Sequence, residues 1–223
     1  MPLAPLPRAF FDRPALEVAP ALLGTLLVHD EPAGRAAGRI VETEAYTDTD
    51  PAMHGWRATF GPDGRVLPRG RAADLFAAPG TAYVYRVYRV HWLLNVVCEA
   101  EGTAAAVLVR ALRPTDGLER MAERRPAARR ERDLANGPGK LTQALGIAEP
   151  PGQATSAFHG TDLTAPPLFF ADDGAAPPAA IETSSRIGLT RGIDRPWRFF
   201  VAGDPYVSPG VPSDERVRRE TGG

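Results

Sequence analysis

GRIVETEAY, the stretch from Gly38 to Tyr46, decides how this chain folds. Successive side chains of a β-strand point to opposite faces, so every second residue shares a face. A strand here places on one face Ile40, Glu42, Glu44 and Tyr46. Two carboxylates that end beside an aromatic ring suit a site where an acid or base acts next to a flat, stackable surface. The preceding apolar stretch LGTLLVHD (23–30) is predicted to begin the sheet and to pair with this strand.

The second informative segment is YVYRVYRVHWLLN, from Tyr83 to Asn95. It is too long for one straight strand and is predicted to bend near Tyr88 and Arg89. Alternation lets Tyr85 line a pocket while Tyr88 points away from it. Tyr88 is flanked by Arg86 and Arg89, and an exposed aromatic between guanidinium groups can enter a base stack while phosphates are held. A half-buried strand with an arginine rim would give the same pattern, so the pattern alone leaves both interpretations open.

The remaining elements are predicted from periodicity and from the positions of proline and glycine. They are a helix over 9–24 with Asp12 as candidate N-cap, a long connection over 47–80, a buried strand over 104–112, helices over DGLERMAERR (116–125) and after GPG (137–139), and strands over SRIGLT (185–190) and WRFFVAG (197–203). Short strands and turns outnumber helical stretches, which favours a mixed α/β (α+β) fold. No repeat or linker divides residues 1–212, so they are predicted to form a single domain, followed by a polar, disordered tail over 213–223.

Composition is that of a globular protein that can bury a sizeable core, with 223 residues of which 43% are hydrophobic. Cys98 is the only cysteine and lies in an apolar run, so it is predicted to be a buried thiol in a reducing compartment. The apolar stretch 19–28 is too short to cross a bilayer and lacks the features of a targeting segment. The protein is therefore predicted to be soluble and cytoplasmic.

The net charge of −1 does not indicate a polyanionic partner, but the charge is unevenly distributed. Between Arg110 and Lys140, nine basic residues stand against five acidic ones, which gives this stretch +4. Phosphate binding and a solvated helix with its loop both fit such a stretch. GPGKL is not a phosphate-binding P-loop, because Leu141 stands where that motif has serine or threonine. A helix that opens at Pro138 or Gly139 can still direct its N-terminus and Lys140 at a backbone phosphate.

Glu42 and Glu44 are two residues apart, so on a strand their Cα atoms are roughly 6.6–6.8 Å apart. An acid–base pair, a pair of metal ligands and a solvent-facing edge all fit that spacing. Tyr46 on the same face and His54 in the following loop favour a site. No HExxH or other paired-histidine motif accompanies these carboxylates, and no metal is therefore predicted.

The chain resembles the alkyladenine (3-methyladenine) DNA glycosylase family. The resemblance covers most of the sequence in several ordered motifs with compatible spacing. These are FFDRPALEVAPALLGTLLV, GRIVETEAY, DPAMH, PGTAYVYRVY, AVLVRALRP, GPGKLTQALGI, RIGL and WRFFVAG. The resemblance implies one mixed α/β domain, built from a curved antiparallel sheet with peripheral helices.

Catalytic roles follow from the resemblance. Glu44, in ETEAY, would be the general base that activates a water against C1′ of the sugar. Arg110, which ends AVLVR, would help to hold that water and the charge around Glu44. The backbone of Ile187, in RIGL, would complete the contacts of the water.

Base-binding and DNA-binding roles follow in the same way. Tyr46 would stack on one side of an extruded base, with His54 and Tyr85 on the other. Asn95 would crowd the base edge where guanine carries its exocyclic amine, and Tyr88 would take the vacated position in the duplex. The residues implied to contact the DNA backbone are Arg86, Arg89 and Lys140.

The implied activity is that of a monofunctional glycosylase of base excision repair, without a cofactor, that leaves an abasic site. Its implied partner is double-stranded DNA with alkylated or deaminated purines, bound by a monomer that associates with the nucleoid. The sequence departs from the family pattern at Arg89, where glycine usually follows the tyrosine, and at Ala72, where asparagine usually stands. A binding protein without chemistry and a metal-dependent hydrolase of a small molecule are the alternatives.

Overall fold

The computed structural model describes residues 3–53, 58–150 and 152–221. In these ranges nine β-strands form one sheet. They are β1 (Ala4–Pro5), β2 (Leu26–Glu31), β3 (Gly34–Tyr46), β4 (Ala82–Val87), β5 (His91–Val97), β6 (Ala106–Asp116), β7 (Leu168–Asp172), β8 (Ile181–Ser184) and β9 (Arg198–Val201). The α-helices are α1 (Arg8–Phe11), α2 (Ala15–Ala21), α3 (Leu118–Arg124), α4 (Pro138–Ala144) and α5 (Ser213–Thr221). The sheet is curved and antiparallel, which confirms the predicted mixed α/β (α+β) domain.

The sheet runs in the order β1-β7-β2-β3-β6-β5-β4. β3 is its organising strand, because β6 pairs along one edge of it, while the other edge pairs first with β2 and then, over Glu42–Glu44, with β9. β8 extends the sheet from β9. The two predicted strands pair, but β3 begins at Gly34, so the residues opposite β2 are Gly34–Arg39 and only Gly38 and Arg39 of them belong to GRIVETEAY; a tight turn lies between Glu31 and Gly34.

The ladder between β3 and β6 is irregular on both sides of Glu42. Val41 in β3 and Arg110 in β6 are passed over in the register. An extra residue of this kind disrupts the alternation of faces and re-aims the neighbouring side chains. Ile40 therefore lies in the main core, and its predicted position on the face of Glu42 and Glu44 is wrong.

The main core lies on one face of the sheet and includes the buried sides of α2, α3 and α4. Cys98 is buried in it, as predicted, and burial raises the pKa of its thiol, so the thiol stays protonated. A second apolar cluster lies on the opposite face and includes the 3-10 helix Gly70–Phe76. This helix belongs to the long connection predicted over 47–80.

The segment Tyr83–Asn95 forms a hairpin, as predicted. β4 and β5 pair from Ala82 opposite Val96 to Val87 opposite His91. The bend lies at Tyr88 and Arg89, which have positive φ angles of 49° and 60°.

Two other segments differ from their predictions. The helix predicted over 9–24 is interrupted, because Pro14 precedes the first turn of α2 and cannot continue α1. Asp12, the candidate N-cap, is instead the C-cap of α1. SRIGLT is not a strand, since the amides of Ile187 and Leu189 donate to the side chains of Glu44 and Ser213 instead of to a ladder.

The polar segment 213–223, for which the sequence predicts disorder, contains helix α5. Asp214 and Glu215 in its first turn and Arg218 and Arg219 in its last complement the helix dipole. Ion pairs four residues apart join Asp214 to Arg218 and Glu215 to Arg219. In the described ranges no helix is long and apolar enough to cross a membrane.

Candidate active site

A cleft of 1210 Å³ opens on the face of the sheet opposite the main core. Its floor is formed by β3 and β6, with Ala106, Leu108 and Arg110 contributed by β6. One wall is the β4–β5 hairpin, and the others are residues 69–75, 137–140 and 187–191. The strands and loops of the predicted site are therefore brought to one place.

Glu44 lies at the bottom of this cleft and is wholly buried. Its Oε1 accepts a hydrogen bond from the amide of Ile187 at 2.7 Å and is 3.2 Å from Nη1 of Arg110. Its Oε2 accepts a hydrogen bond from the hydroxyl of Tyr46 at 2.9 Å. The three donors fix the carboxylate from three sides, so the predicted grouping of these residues is realised in the geometry.

Arg110 bridges the two carboxylates of the ETE sequence. Its Nε donates to Oε1 of Glu42 at 2.8 Å, while its Nη1 reaches Glu44. Burial lowers the pKa of Arg110, but the charges of Glu44 and Glu42 together raise it by more than burial lowers it. The pKa of Arg110 therefore lies above its usual value, and the guanidinium stays charged. The two glutamates that the period-two pattern places on one face therefore share Arg110 as a partner, but only Glu44 lines the cleft.

Glu42 is not among the residues that line the cleft; its carboxylate accepts the hydrogen bond from Nε of Arg110. Oε1 of Glu42 also accepts hydrogen bonds from Arg198 at 2.7 Å and from the hydroxyl of Ser208 at 2.9 Å, and Oε2 accepts one from the Ser208 amide at 2.7 Å. Burial raises the pKa of Glu42, but the charges of Arg110 and Arg198 outweigh burial, so its pKa lies below the usual value. Glu42 is therefore a buried anion with all its partners inside the protein. Arg198 and Ser208 were not predicted from the sequence.

Tyr46 and Tyr85 form the aromatic part of the cleft. Burial and then the charge of Glu44 raise the pKa of both phenols, for Tyr85 to about 12. Both hydroxyls therefore remain protonated at neutral pH. Tyr85 also packs against Tyr83, with ring centroids 5.1 Å apart.

Behind Tyr46 lies a buried arginine that is not among the predicted site residues, although it begins the RIGL motif. The guanidinium carbon of Arg186 is 4.5 Å from the centroid of the Tyr46 ring. Arg186 is wholly buried and paired with Asp50. One face of Tyr46 is therefore covered by protein, which leaves the other for the cleft.

Asn95 is buried at the cleft, and its amide donates to the carbonyl of Tyr83 at 3.1 Å. This bond fixes the direction in which the side-chain amide of Asn95 faces. His54, the remaining predicted residue of the base pocket, lies outside the described residues.

The hairpin tip carries Tyr88, whose side chain is 86% exposed at the mouth of the cleft. Val90 is the second exposed apolar residue of the tip, at 62%, and was not predicted. Arg89 adopts the left-handed backbone conformation that glycine adopts without strain, at a cost of about 1–2 kcal/mol. The tip is therefore a tight turn even with arginine at this position.

Basic side chains surround the cleft, in contrast to the net charge of −1 of the whole chain. Among its described lining residues Glu44 is the only carboxylate. The basic ones are Arg69, Arg71, Arg86, Arg89, Arg110, Arg125, Lys140 and Arg191. The predicted backbone-contacting residues Arg86, Arg89 and Lys140 are among them, whereas Arg69 and Arg191 were not predicted.

The basic stretch 110–140 contributes only part of this charge. Most of its other arginines are engaged elsewhere: Arg113 with Asp204, Arg120 with the carbonyls of Gly34 and Arg35, Arg124 with Glu31, and Arg130 with Asp133. The stretch thus supplies Arg110, Arg125 and Lys140 to the cleft, and phosphate binding by these residues stays a prediction. In the described part of the chain, no three His, Cys, Asp or Glu residues are grouped so that they could hold a metal ion.

Comparison with known proteins identifies the family of this chain. Residues 9–205 match the model of the methylpurine-DNA glycosylase family. The chain belongs to the methylpurine-DNA glycosylase family. The protein is therefore an enzyme that acts on DNA, and the predicted resemblance and enzyme class are confirmed.

Three relatives of this chain are named "Putative 3-methyladenine DNA glycosylase". The protein of Salinibacter ruber is 54% identical over 213 residues, 95% of this chain and 100% of the relative. That of Burkholderia lata is 48% identical over 210 residues, 93% of this chain and 92% of the relative. That of Chlorobaculum parvum is 42% identical over 215 residues, 94% and 95% of the two chains.

Proposed function

We propose that this protein is a monofunctional DNA glycosylase that extrudes damaged purines from duplex DNA and hydrolyses their N-glycosidic bond with an activated water. One observation carries the proposal: a wholly buried carboxylate, Glu44, is held at the bottom of an aromatic cleft whose rim is strongly basic. A protein that only bound DNA would gain nothing from a carboxylate near phosphates. An enzyme that generates a nucleophile inside the cleft requires one.

Glu44 is the proposed general base. The Ile187 amide and Arg110 orient its Oε1, and a water beside the carboxylate would lose its proton to Glu44 as it attacks C1′. The product is a free base and an abasic site. Lys140 is the only lysine of the chain, and its Nζ donates to Asn136 at 2.8 Å. This supports water, and not a lysine amine, as the nucleophile.

The base would lie between Tyr46 and the side of the cleft that holds Tyr85, where the sequence also predicts His54. Alkylated purines are cationic and are attracted to the faces of electron-rich rings. Asn95, held by the carbonyl of Tyr83, is proposed to crowd a purine that carries an amine at C2. Deaminated purines such as hypoxanthine lack that amine and remain proposed substrates.

Extrusion of a nucleotide leaves a gap in the base stack and costs a few kcal/mol. Tyr88, exposed at the hairpin tip, is proposed to fill the gap, with the unpredicted Val90 beside it. The basic side chains of the cleft would bind the phosphates on either side. The predictions that the protein is a monomer and acts in the cytoplasm on nucleoid DNA remain predictions.

The decisive experiment is incubation with duplexes that each carry one lesion: hypoxanthine, ethenoadenine or 3-methyladenine. We expect strand breaks only after alkaline treatment, because an abasic site is labile to alkali whereas the enzyme itself does not cut the strand. The activity is expected to survive exhaustive chelation. Release of none of the three bases would contradict the proposal, and loss of activity on chelation would favour a metal-dependent hydrolase.

Replacement of Tyr88 with serine is expected to weaken binding to lesion-bearing duplex about tenfold more than binding to undamaged duplex. The reason is that only the extruded state needs an aromatic in the gap, and stacking on a base contributes roughly 1–3 kcal/mol. Fluorescence anisotropy with matched duplexes measures both affinities. Tyr88→Phe retains the ring and serves as the control, which should behave like the wild type. Equal losses on both duplexes would argue against a wedge.

A further inference from the structure

The face of Tyr46 turned away from the cleft is covered by a buried ion pair. Arg186 donates through Nη1 and Nη2 to the two carboxylate oxygens of Asp50, with a distance of 2.9 Å for Nη2. Both side chains are wholly buried. Arg186 also lies over the ring of Trp197, at 5.2 Å from its centroid, and donates to the carbonyl of Ala45 at 3.0 Å. The guanidinium is thus fixed against the Tyr46 ring.

A positive charge behind the ring should oppose the stacking of a cationic base on its other face. The guanidinium carbon is 4.5 Å from the ring centroid, and a stacked base would lie about 3.5 Å beyond it, so the two charges would be about 8 Å apart. Asp50 balances the charge of Arg186 at hydrogen-bonding distance. Asp50 also accepts the amide of Ala52 at 3.0 Å, and Arg195, partly exposed, is 3.9 Å away.

We propose that Asp50 is a positioning residue that sets the charge preference of the base pocket by neutralising Arg186 behind Tyr46. With the pair intact, the Tyr46 ring accepts a cationic purine. Without the carboxylate, the unbalanced guanidinium would disfavour a cationic purine relative to a neutral purine of similar shape. This inference rests on the proposed function, because it assumes that a base stacks on Tyr46.

The test is the ratio of release of 3-methyladenine, which is cationic in DNA, to release of hypoxanthine, which is neutral. For each lesion the single-turnover rate is divided by the enzyme concentration at half-saturation. Asp50→Asn is expected to lower the ratio roughly 10- to 30-fold, as two unit charges about 8 Å apart would at an effective dielectric constant of about 20. Each variant is its own control, since a general loss of structure lowers both activities together.

Arg186→Gln is the second variant, and it changes the ratio in the opposite direction. It leaves the carboxylate without its main cation and is expected to raise the ratio, so it decides the matter if Asp50→Asn does not fold. The matched control is Asp194→Asn, which removes an exposed carboxylate of the same region and should leave the ratio unchanged. An unchanged ratio in folded Asp50→Asn or Arg186→Gln protein would overturn the inference. Failure of the wild type to release either base would instead contradict the proposed function.

Discussion

Replacement of Glu44 with glutamine is expected to slow base release by about 10²–10⁴-fold, the range typical of a lost general base. Glutamine has nearly the same shape as glutamate, and its amide oxygen can still accept the hydrogen bond from Ile187 that Oε1 of Glu44 accepts at 2.7 Å. Its amide group can face the hydroxyl of Tyr46. The cleft is therefore expected to keep its form, while the proposed acceptor of the water proton is gone.

Single-turnover assays on hypoxanthine-bearing duplex measure the loss, and anisotropy measures DNA binding, which is expected to persist. Glu123→Gln is the matched control, because Glu123 is exposed on α3 and its substitution removes the same charge far from the cleft. Full release activity in Glu44→Gln would exclude this carboxylate as the base. Loss of binding together with activity would point to a folding defect, which thermal unfolding reveals.

Replacement of Glu42 with glutamine is expected to lower the free energy of unfolding by about 3–5 kcal/mol at neutral pH. Glu42 is buried and is the common anionic partner of Arg110 and Arg198. Its removal leaves buried cations without full compensation, a large loss for one substitution. Urea unfolding of the wild type and the variant measures the difference.

The dependence of this difference on pH is a further test of the Glu42 prediction. The pKa of Glu42 is lowered in the folded protein, so its charge contributes stability that is fully present above the unfolded value of about 4.3. That contribution is lost as the pH falls through the folded pKa. The gap between wild type and Glu42→Gln should therefore be constant from pH 7 to about pH 5 and shrink below that. A gap that is the same at acid and neutral pH would contradict the assignment of a buried anion to Glu42.

The sequence predicts those features of the fold that depend on local periodicity. Alternation identifies β3, and the segment Tyr83–Asn95 indicates a hairpin because it is too long for a single straight strand. The face predicted for Ile40 was wrong because the shift in register next to Ile40 depends on how β6 pairs with β3. A bulge depends on how two strands pair, so it could not be predicted from the residue pattern of β3 alone.

In the candidate site too, residues close together in the sequence could be predicted, whereas partners distant in the sequence could not. Glu44 and Tyr46 are two residues apart, and one strand presents both. Arg186, Arg198 and Ser208 meet β3 only through contacts across more than 100 positions. Nothing in the local sequence distinguishes such arginines from solvated ones, although a wholly buried guanidinium is among the most informative features of the structure.

The contacts that hold Glu42 and Glu44 join residues far apart in the sequence, which has a consequence while the chain is being synthesised. Both glutamates leave the ribosome early, but the Ile187 amide and Ser208 that hold them follow only after most of the chain has been made. A polypeptide released before residue 187 has Glu44 without the Ile187 amide, and one released before residue 208 also has Glu42 without its Ser208 contacts. Fragments that end before Ile187 are therefore expected to lack an ordered Glu44 carboxylate, and base release is expected only from chains that extend beyond it.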